Sequence, residues 1–231
     1  MNAGARNLLL RGAEQLGVLL DPHQLGLFDR FAAELTKWNR KINLTAIKGD
    51  EEIALKHLVD SLACCRVIGA RGRLLDLGSG GGFPVIPLKI VRPHLDAVSV
   101  DAVEKKVIFQ RHVARLLGLR GFEAVHARGE ELAGRYAGRF DWIVSRAFAD
   151  IPTFVRMALP CLAPGGRIVA MKGREGRGES EAARPALADL GVTLAEIQEF
   201  ELPLTGDGRS LVVVVRSLEG GKTRTMPPKA P

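Results

Sequence analysis

Leu74-Leu75-Asp76-Leu77-Gly78-Ser79-Gly80-Gly81-Gly82-Phe83-Pro84 is the stretch on which the fold turns. A short apolar run stops at a carboxylate, then enters a glycine-packed turn before a new apolar segment begins. This is the pattern of a buried strand, a tight loop where backbone approaches a ligand, and a helix start. Dinucleotides and nucleoside cofactors both want such a loop. The dinucleotide fingerprint G-x-G-x-x-G has its third glycine five residues after the first. Counted from Gly78 that position is Phe83, so the fingerprint fails. What stands instead is Asp-x-Gly-x-Gly-x-Gly, with Asp76 two residues ahead of Gly78. Taken alone, the loop also admits a glycine-rich turn with no ligand.

Downstream, strand and helix patterns alternate. Strands are expected over residues 73–77, 97–100, 122–126, 140–145 and 167–171, the second stopping at Asp101 and the fifth ending in Lys172-Gly173. Helices are expected over 83–91, 104–117, 151–159 and 180–190. The second of these carries apolar Val107, Ile108, Val113, Leu116 and Leu117, and presents Lys105, Lys106, Arg111 and Arg115 outward. Ala163-Pro164-Gly165-Gly166 reads as a sharp turn, and residues 193–202 with 210–215 as a hairpin. Alternating βα units imply an α/β fold with a parallel sheet covered by helices on both faces. A closing hairpin makes the last strand antiparallel, as in a methyltransferase-type sheet rather than a dehydrogenase's two equal halves.

Upstream, residues 1–72 read as an N-terminal helical extension. Leu8, Leu9, Gly12, Leu16 and Leu19 or Leu20 give a loose apolar face. Asp21-Pro22-His23-Gln24 is a helix start with an Asp cap, Pro at the first helical position and Gln at the third. Phe28, Phe31, Leu35 and Trp38 follow as a core stripe. A further helix begins near Asp50, with Ile53, Leu58 and Leu62 inward. Its His57 stands three residues before Asp60, either as a hydrogen-bonded pair orienting a loop or as a structural histidine. Residues 73–216 form the main domain, and 217–231 read as a disordered basic tail. There Lys222, Arg224 and Lys229 either meet a polyanion or stay solvated.

At 231 residues and 46% apolar composition, the chain can bury a sizeable core. The net charge of +7 and pI near 9.7 suit a polyanionic partner, without identifying one. Cys64, Cys65 and Cys161 form no C-x-x-C spacing, disulfide framework or metal constellation, so a reduced cytoplasmic protein without a metal is expected. No apolar run approaches the ~18 residues of a membrane span, and Leu8-Leu9-Leu10 lacks a small-residue cleavage site. No signal peptide and no membrane partner are expected.

In such sheets ligands sit at the carboxyl ends of the strands. The first strand brings Asp76, Gly78 and Gly80 there. The second brings Asp101, whose carboxylate can accept both ribose hydroxyls of an adenosine. The third brings Gly129 and Glu130, where an adenine edge could be met, although Glu130 can equally be a helix N-terminal acid. The fourth brings Ser145-Arg146-Ala147 and the fifth Lys172.

These blocks together resemble a known family. Asp76 to Pro87, Val100-Asp101, Arg128-Gly-Glu-Glu, Ser145-Arg-Ala-Phe and Met171-Lys-Gly are similar to the bacterial small-subunit ribosomal RNA guanine-N7 methyltransferase G family, also called glucose-inhibited division protein B. Trp38-Asn39 through Asn43-Leu-Thr-Ala and His57-Leu-Val-Asp-Ser-Leu agree too. The likeness spans residues 15–216. It implies a Rossmann-like class I methyltransferase sheet, S-adenosyl-L-methionine as cofactor, and 16S rRNA or the small ribosomal subunit as partner of a monomer. Cofactor contacts carry over onto Gly78, Phe83, Gly129, Glu130 and Arg146. Gly129 stands where the family often has a β-branched or small residue, so only a backbone contact survives there.

Guanine N7 carries an in-plane lone pair and no proton, so its methylation needs placement rather than a general base. Ser145-Arg146-Ala147-Phe148 replaces the Asn/Asp-Pro-Pro-aromatic block that enzymes acting on exocyclic amines tend to carry. No cysteine stands at a strand end for thiolate attack on cytosine. Arg146 and Lys172 are candidate substrate-positioning residues for phosphate, the guanine edge or the cofactor carboxylate. Asp76 is the anion nearest the sulfonium end. Methylation of a protein or small molecule, or a cofactor-free RNA-binding role, remain the alternatives that the residues alone leave open.

Overall fold

The computed structural model describes residues 1–146, 148 and 150–217. The tail beyond Ser217, Ala147 and the Glu130 side chain lie outside the described residues. Among the described residues seven strands form one sheet: β1 (Gly72–Leu77), β2 (Leu95–Asp101), β3 (Phe122–His126), β4 (Phe140–Ser145), β5 (Leu162–Gly173), β6 (Val192–Glu201) and β7 (Gly208–Arg216). Their order is β3-β2-β1-β4-β5-β7-β6, and only β7 runs against the rest. The order reverses between β1 and β4, which opens a crevice at their carboxyl ends. Asp76 lies opposite Ser99 on one side and Val144 on the other, and Asp101 opposite His126. Both strand-end acids therefore share one edge.

Helices α1 (Ala3–Gln15), α2 (Pro22–Ile42), α3 (Asp50–Ile53) and α4 (Asp60–Leu62) precede the sheet, the last two joined by a π-wound turn over Ala54–Val59. Helices α5 (Val85–Val91), α6 (Glu104–Leu117), α7 (Leu132–Tyr136), α8 (Ile151–Ala158) and α9 (Gly176–Asp189) connect the strands. Successive strand residues face opposite sides. Leu74, Val144, Val169 and Val213 pack with α1, α2, α5 and α6, whereas Leu75, Ile143, Ile168 and Val212 pack with α7, α8 and α9. The N-terminal helices thus share a core with one face of the sheet.

Helix α2 starts as its sequence demands. The Asp21 carboxylate accepts from the Gln24 N–H at 2.7 Å, and the Gln24 side chain accepts from the Asp21 N–H at 3.1 Å. Phe28, Phe31 and Leu35 are fully buried. Phe31 reaches Phe83 at 5.2 Å and Phe109 of α6 at 6.4 Å between ring centres, so α2 is fastened to both the glycine loop and α6.

Several local expectations are corrected. The buried face of α1 is Ala5, Leu9, Gly12 and Ala13, and Leu19 is 81% exposed beyond the helix end. Gly12 permits this approach, because a Cβ there would stand 2.7 Å from Val59. Ile108 and Leu116 of α6 are exposed among its basic residues. The Ala163–Gly166 turn lies inside β5 as an irregularity opposite Phe140–Trp142, with Gly165 at φ 76°. Helix α9 begins earlier than expected and runs through Pro185. His57 and Asp60 form no hydrogen-bonded pair: π winding bonds i to i+5, so residues three apart no longer stack on one face.

Phe31→Ala removes a ring held by both the loop and α6. We expect a loss of about 3–5 kcal/mol in urea unfolding; a loss below about 1 kcal/mol would show that α2 is not integral to this core.

Candidate active site

The glycine loop closes on itself. The N–H groups of Gly78 and Ser79 donate to the Val100 carbonyl, those of Gly82 and Phe83 to the Ser79 carbonyl, and that of Gly80 to Asp101 at 2.8 Å. A phosphate cradle needs such donors free; here those of Gly78, Ser79, Gly80, Gly82 and Phe83 are spent. What the loop offers a ligand is bare, closely approachable backbone. Gly78 and Gly80 have φ of 73° and 59°, and a Cβ on Gly80 would meet nothing within 4 Å, so that position faces open space. Buried Ser79, Ser99 and Gln110 link the loop to α6, with the Gln110 amide donating to Ser79 and to the Gly80 carbonyl.

Asp76 is completely buried. Its Oδ2 accepts from the Val85 N–H at 3.1 Å, while Oδ1 has no partner among the described residues. Burial holds its carboxyl well above the ordinary carboxylate range; the Val85 N–H and Arg146 oppose the rise and Asp101 adds to it. A buried acceptor left unmet asks for a donor or a cation. Asp101 bridges the Gly80 and Val103 N–H groups, each at 2.8 Å, and so fixes the loop against the end of β2. Carboxylate oxygens have further lone pairs for ribose hydroxyls. Gly129 opens a 3-10 turn after β3, and a Cβ there would lie 3.0 Å from the Met157 sulfur. Met157 thus takes up space that a side chain at residue 129 would need.

Phe83 is 2% exposed. Its ring stacks on His57 at 4.3 Å and 14°, and the Arg146 guanidinium carbon lies 5.1 Å from its centre. With its ring committed to packing and its N–H given to Ser79, Phe83 has its carbonyl left for a ligand. His57 Nε2 lies 2.7 Å from Thr45 Oγ1, which already accepts from the Ile47 N–H. Burial pushes the His57 pKa down to about 3, with Arg146 adding to the fall and the Lys56 carbonyl opposing it. His57 is therefore a neutral ring at neutral pH.

A cavity of about 320 Å³ opens beside this stack, lined among others by His57, Asp60, Arg146, Lys172 and Arg209. Asp60 is buried and holds two guanidinium groups: Arg209 Nε donates to Oδ1 at 2.7 Å and Arg146 Nη1 to Oδ2 at 3.4 Å. Arg146 also donates to the Lys56 carbonyl. The Lys172 ammonium pairs with Glu179 of α9 at 2.7 Å and donates to the Phe148 carbonyl, so it leans towards α9 while still lining the cavity. Sequence reading missed Arg209 and the work of Asp60. No local motif marks Arg209; only the antiparallel register, which sets it opposite Gly173, brings it to the end of β5. Among the described residues no group of three or more His, Cys, Asp or Glu is placed to hold a metal, and no helix is long and apolar enough to cross a membrane.

The sheet order with β7 reversed, the loop that spends most of its N–H groups internally and the unmet Asp76 oxygen suit a nucleoside carrying a positive charge better than a dinucleotide. The fold, with the family to which the chain belongs, defines an S-adenosyl-L-methionine-dependent methyltransferase. The family model described as rRNA small subunit methyltransferase G matches residues 24–206, and the chain belongs to that family. The Geobacter metallireducens ribosomal RNA small subunit methyltransferase G is 67% identical over 95% of this chain and 100% of its own length. The Deinococcus radiodurans protein of the same name is 39% identical over 100% of this chain and 90% of its own. In fold the chain resembles M. jannaschii TYW2 solved in complex with AdoMet, with TM-score 0.56 at 12% identity over 69% of this chain and 76% of that one. The ribosomal protein L11 methylase from Lactobacillus delbrueckii subsp. bulgaricus has TM-score 0.53 at 16% identity, over 74% of this chain and 81% of that one.

Asp76→Asn tests the unmet carboxylate. A carboxyl whose folded pKa is raised contributes stability below its unfolded pKa, and that contribution is lost as pH rises through the folded value. The variant should therefore unfold a few degrees above the wild type at pH 7 without ligand, at about 2–4 °C per kcal/mol. The gain should vanish near pH 3, and the cofactor should bind more weakly. A lower melting temperature at pH 7 would mean that Asp76 is ionised and well satisfied in the free protein.

Proposed function

We infer that the chain methylates N7 of a guanine in 16S ribosomal RNA, with S-adenosyl-L-methionine as methyl donor and the small ribosomal subunit or its rRNA as partner in the cytoplasm. The observation that carries this reading is the cavity beside the glycine loop. It is lined by Lys56, Arg146, Lys172 and Arg209; the two arginines share Asp60, while Lys56 pairs with Glu52 and Lys172 with Glu179. Cations lining one cavity suit a polyanion, and the His57 ring beside them is too weak a base for proton abstraction.

When bound, the cofactor supplies an electrophilic methyl group on a cationic sulfur, which the N7 lone pair can take with no proton to remove. The protein's residues then have to position rather than deprotonate. Asp76 is the proposed anion for the cationic end, and Asp101 the proposed ribose acceptor. Gly78, Gly80, Gly129 and the Phe83 carbonyl supply backbone surface, and Glu130 is the proposed acid at the adenine. Asp60 and the Lys56 carbonyl hold Arg146 across the mouth of the cavity. Arg146 suits guanine O6, a phosphate or the cofactor carboxylate; a cation donating to N7 itself would block the nucleophile. Arg209 stands beside it as a further phosphate contact.

The alternatives are chemically poorer. Among the described residues no cysteine lines the cavity, and burial raises the thiols of Cys64, Cys65 and Cys161, which disfavours a thiolate route to a carbon methylation. His57 is too weak a base to serve an amine target.

Three measurements check this reading. Mapping 7-methylguanine in 16S rRNA with and without the gene should show one modified guanine lost on deletion; an unchanged map would refute the assigned reaction. Arg146→Ala should lower methylation at least about tenfold with the fold intact, as for loss of a charged positioning group of about 1.5–3 kcal/mol. Wild-type turnover would remove that role. Asp101→Ala should weaken cofactor binding by a similar energy, and unchanged calorimetric affinity would take Asp101 out of the site.

A further inference from the structure

We propose that a second groove, formed by the end of α2 and the loop leading to α3, takes a single-stranded segment of the rRNA flanking the target guanine; this rests on the rRNA methyltransferase reading above. The groove has a volume of about 900 Å³. Its floor is apolar, made by buried Leu35, Leu44 and Ile53, while Thr36 and Asn43 stand along it and Arg40 and Lys48 lie exposed among its lining residues. That combination suits nucleosides resting on apolar surface with phosphates met by cations.

Among the described residues no carboxylate lines the groove. The nearest acids in sequence are turned to other work. Glu34 pairs with Lys37 and His112, Asp50 accepts from the Asn2 N–H, Glu51 lies against Gly4 of α1, and Glu52 pairs with Lys56. The groove borders the cavity at the candidate active site, with Ile47 lining both. A strand whose guanine entered the cavity would lay its neighbouring nucleotides here.

The groove is built rather than incidental. The Asn39 carboxamide donates to the Thr45 carbonyl at 2.8 Å and accepts from the Thr45 N–H at 2.9 Å, which clamps the loop back onto α2. Asn43 ends α2 in the left-handed region, at φ 48°, and turns the chain to make the wall. Thr45 in turn touches His57, which stacks on Phe83, so the groove wall and the cofactor loop rest on one another. A preformed surface spares an RNA the ordering of protein residues on binding.

The test uses the full chain with two probes, protein-free 16S rRNA and intact small subunits, both lacking the modification. Arg40→Glu combined with Lys48→Glu changes two exposed side chains outside the core. It should raise KM for rRNA about tenfold and leave kcat and cofactor affinity within about twofold. The salt dependence of binding should flatten by about 0.7 for each phosphate that is no longer neutralised. Arg115→Glu with Arg120→Glu, at the amino-terminal edge of the sheet, is the control for overall charge and should leave KM unchanged. Unaltered KM and salt slope in the groove variant would overturn the proposal, as would an equal rise in the control. Wild-type protein that methylates neither probe would instead remove the functional reading, and this proposal with it.

Discussion

The carboxylate of Asp76, buried with one oxygen unmet, is the constraint around which the site is arranged. A free protein selected for stability alone would not keep it, because an isolated buried charge costs several kcal/mol unless it is paired or protonated. Its other oxygen holds the start of α5 through Val85, so the same side chain sets the turn and leaves one acceptor waiting at the carboxyl end of β1. A bound cation would turn this cost into affinity. The glycine loop above it has used most of its N–H groups internally, which leaves few donors for a pyrophosphate.

The second organising contact is Phe83. Phe31 of α2 and His57 of the π turn press on its ring, and Arg146 lies against it from the end of β4. Three parts of the chain that are far apart in sequence therefore meet at the residue that closes the loop. The N-terminal helices therefore hold the loop, and the Lys56 carbonyl and Asp60 fix the position of Arg146. The π winding over Ala54–Val59 is what sends His57 to Thr45 and Phe83 while Asp60 turns to the arginines.

Much of this was legible in the sequence, for physical reasons that can be named. Strand runs such as Phe140–Ser145 and Phe122–His126 are short, apolar and bounded by turns, and the capping residues Asp21 and Gln24 announce α2. The strand-end acids Asp76 and Asp101 follow from topology, because a parallel sheet puts ligands at its carboxyl edge. What stayed hidden depends on long-range register or on non-standard winding. Arg209 reaches the cavity only through antiparallel pairing with β5, and the His57–Asp60 spacing misleads because the helix there is not an α-helix. Gly129 could be noticed as a departure, but its fit beside Met157 required the packing of α8.

If Asp76 awaits a cation, calorimetry of S-adenosyl-L-methionine binding should register it through protons. Titrations over a pH range that runs upward from ordinary carboxylate values, in buffers of different ionisation enthalpy, report the protons exchanged on binding. Binding should ionise Asp76, so wild-type protein is predicted to release a proton over part of this range and Asp76→Asn to release none from this site. Identical proton exchange in the two proteins across the whole range would contradict that role for Asp76.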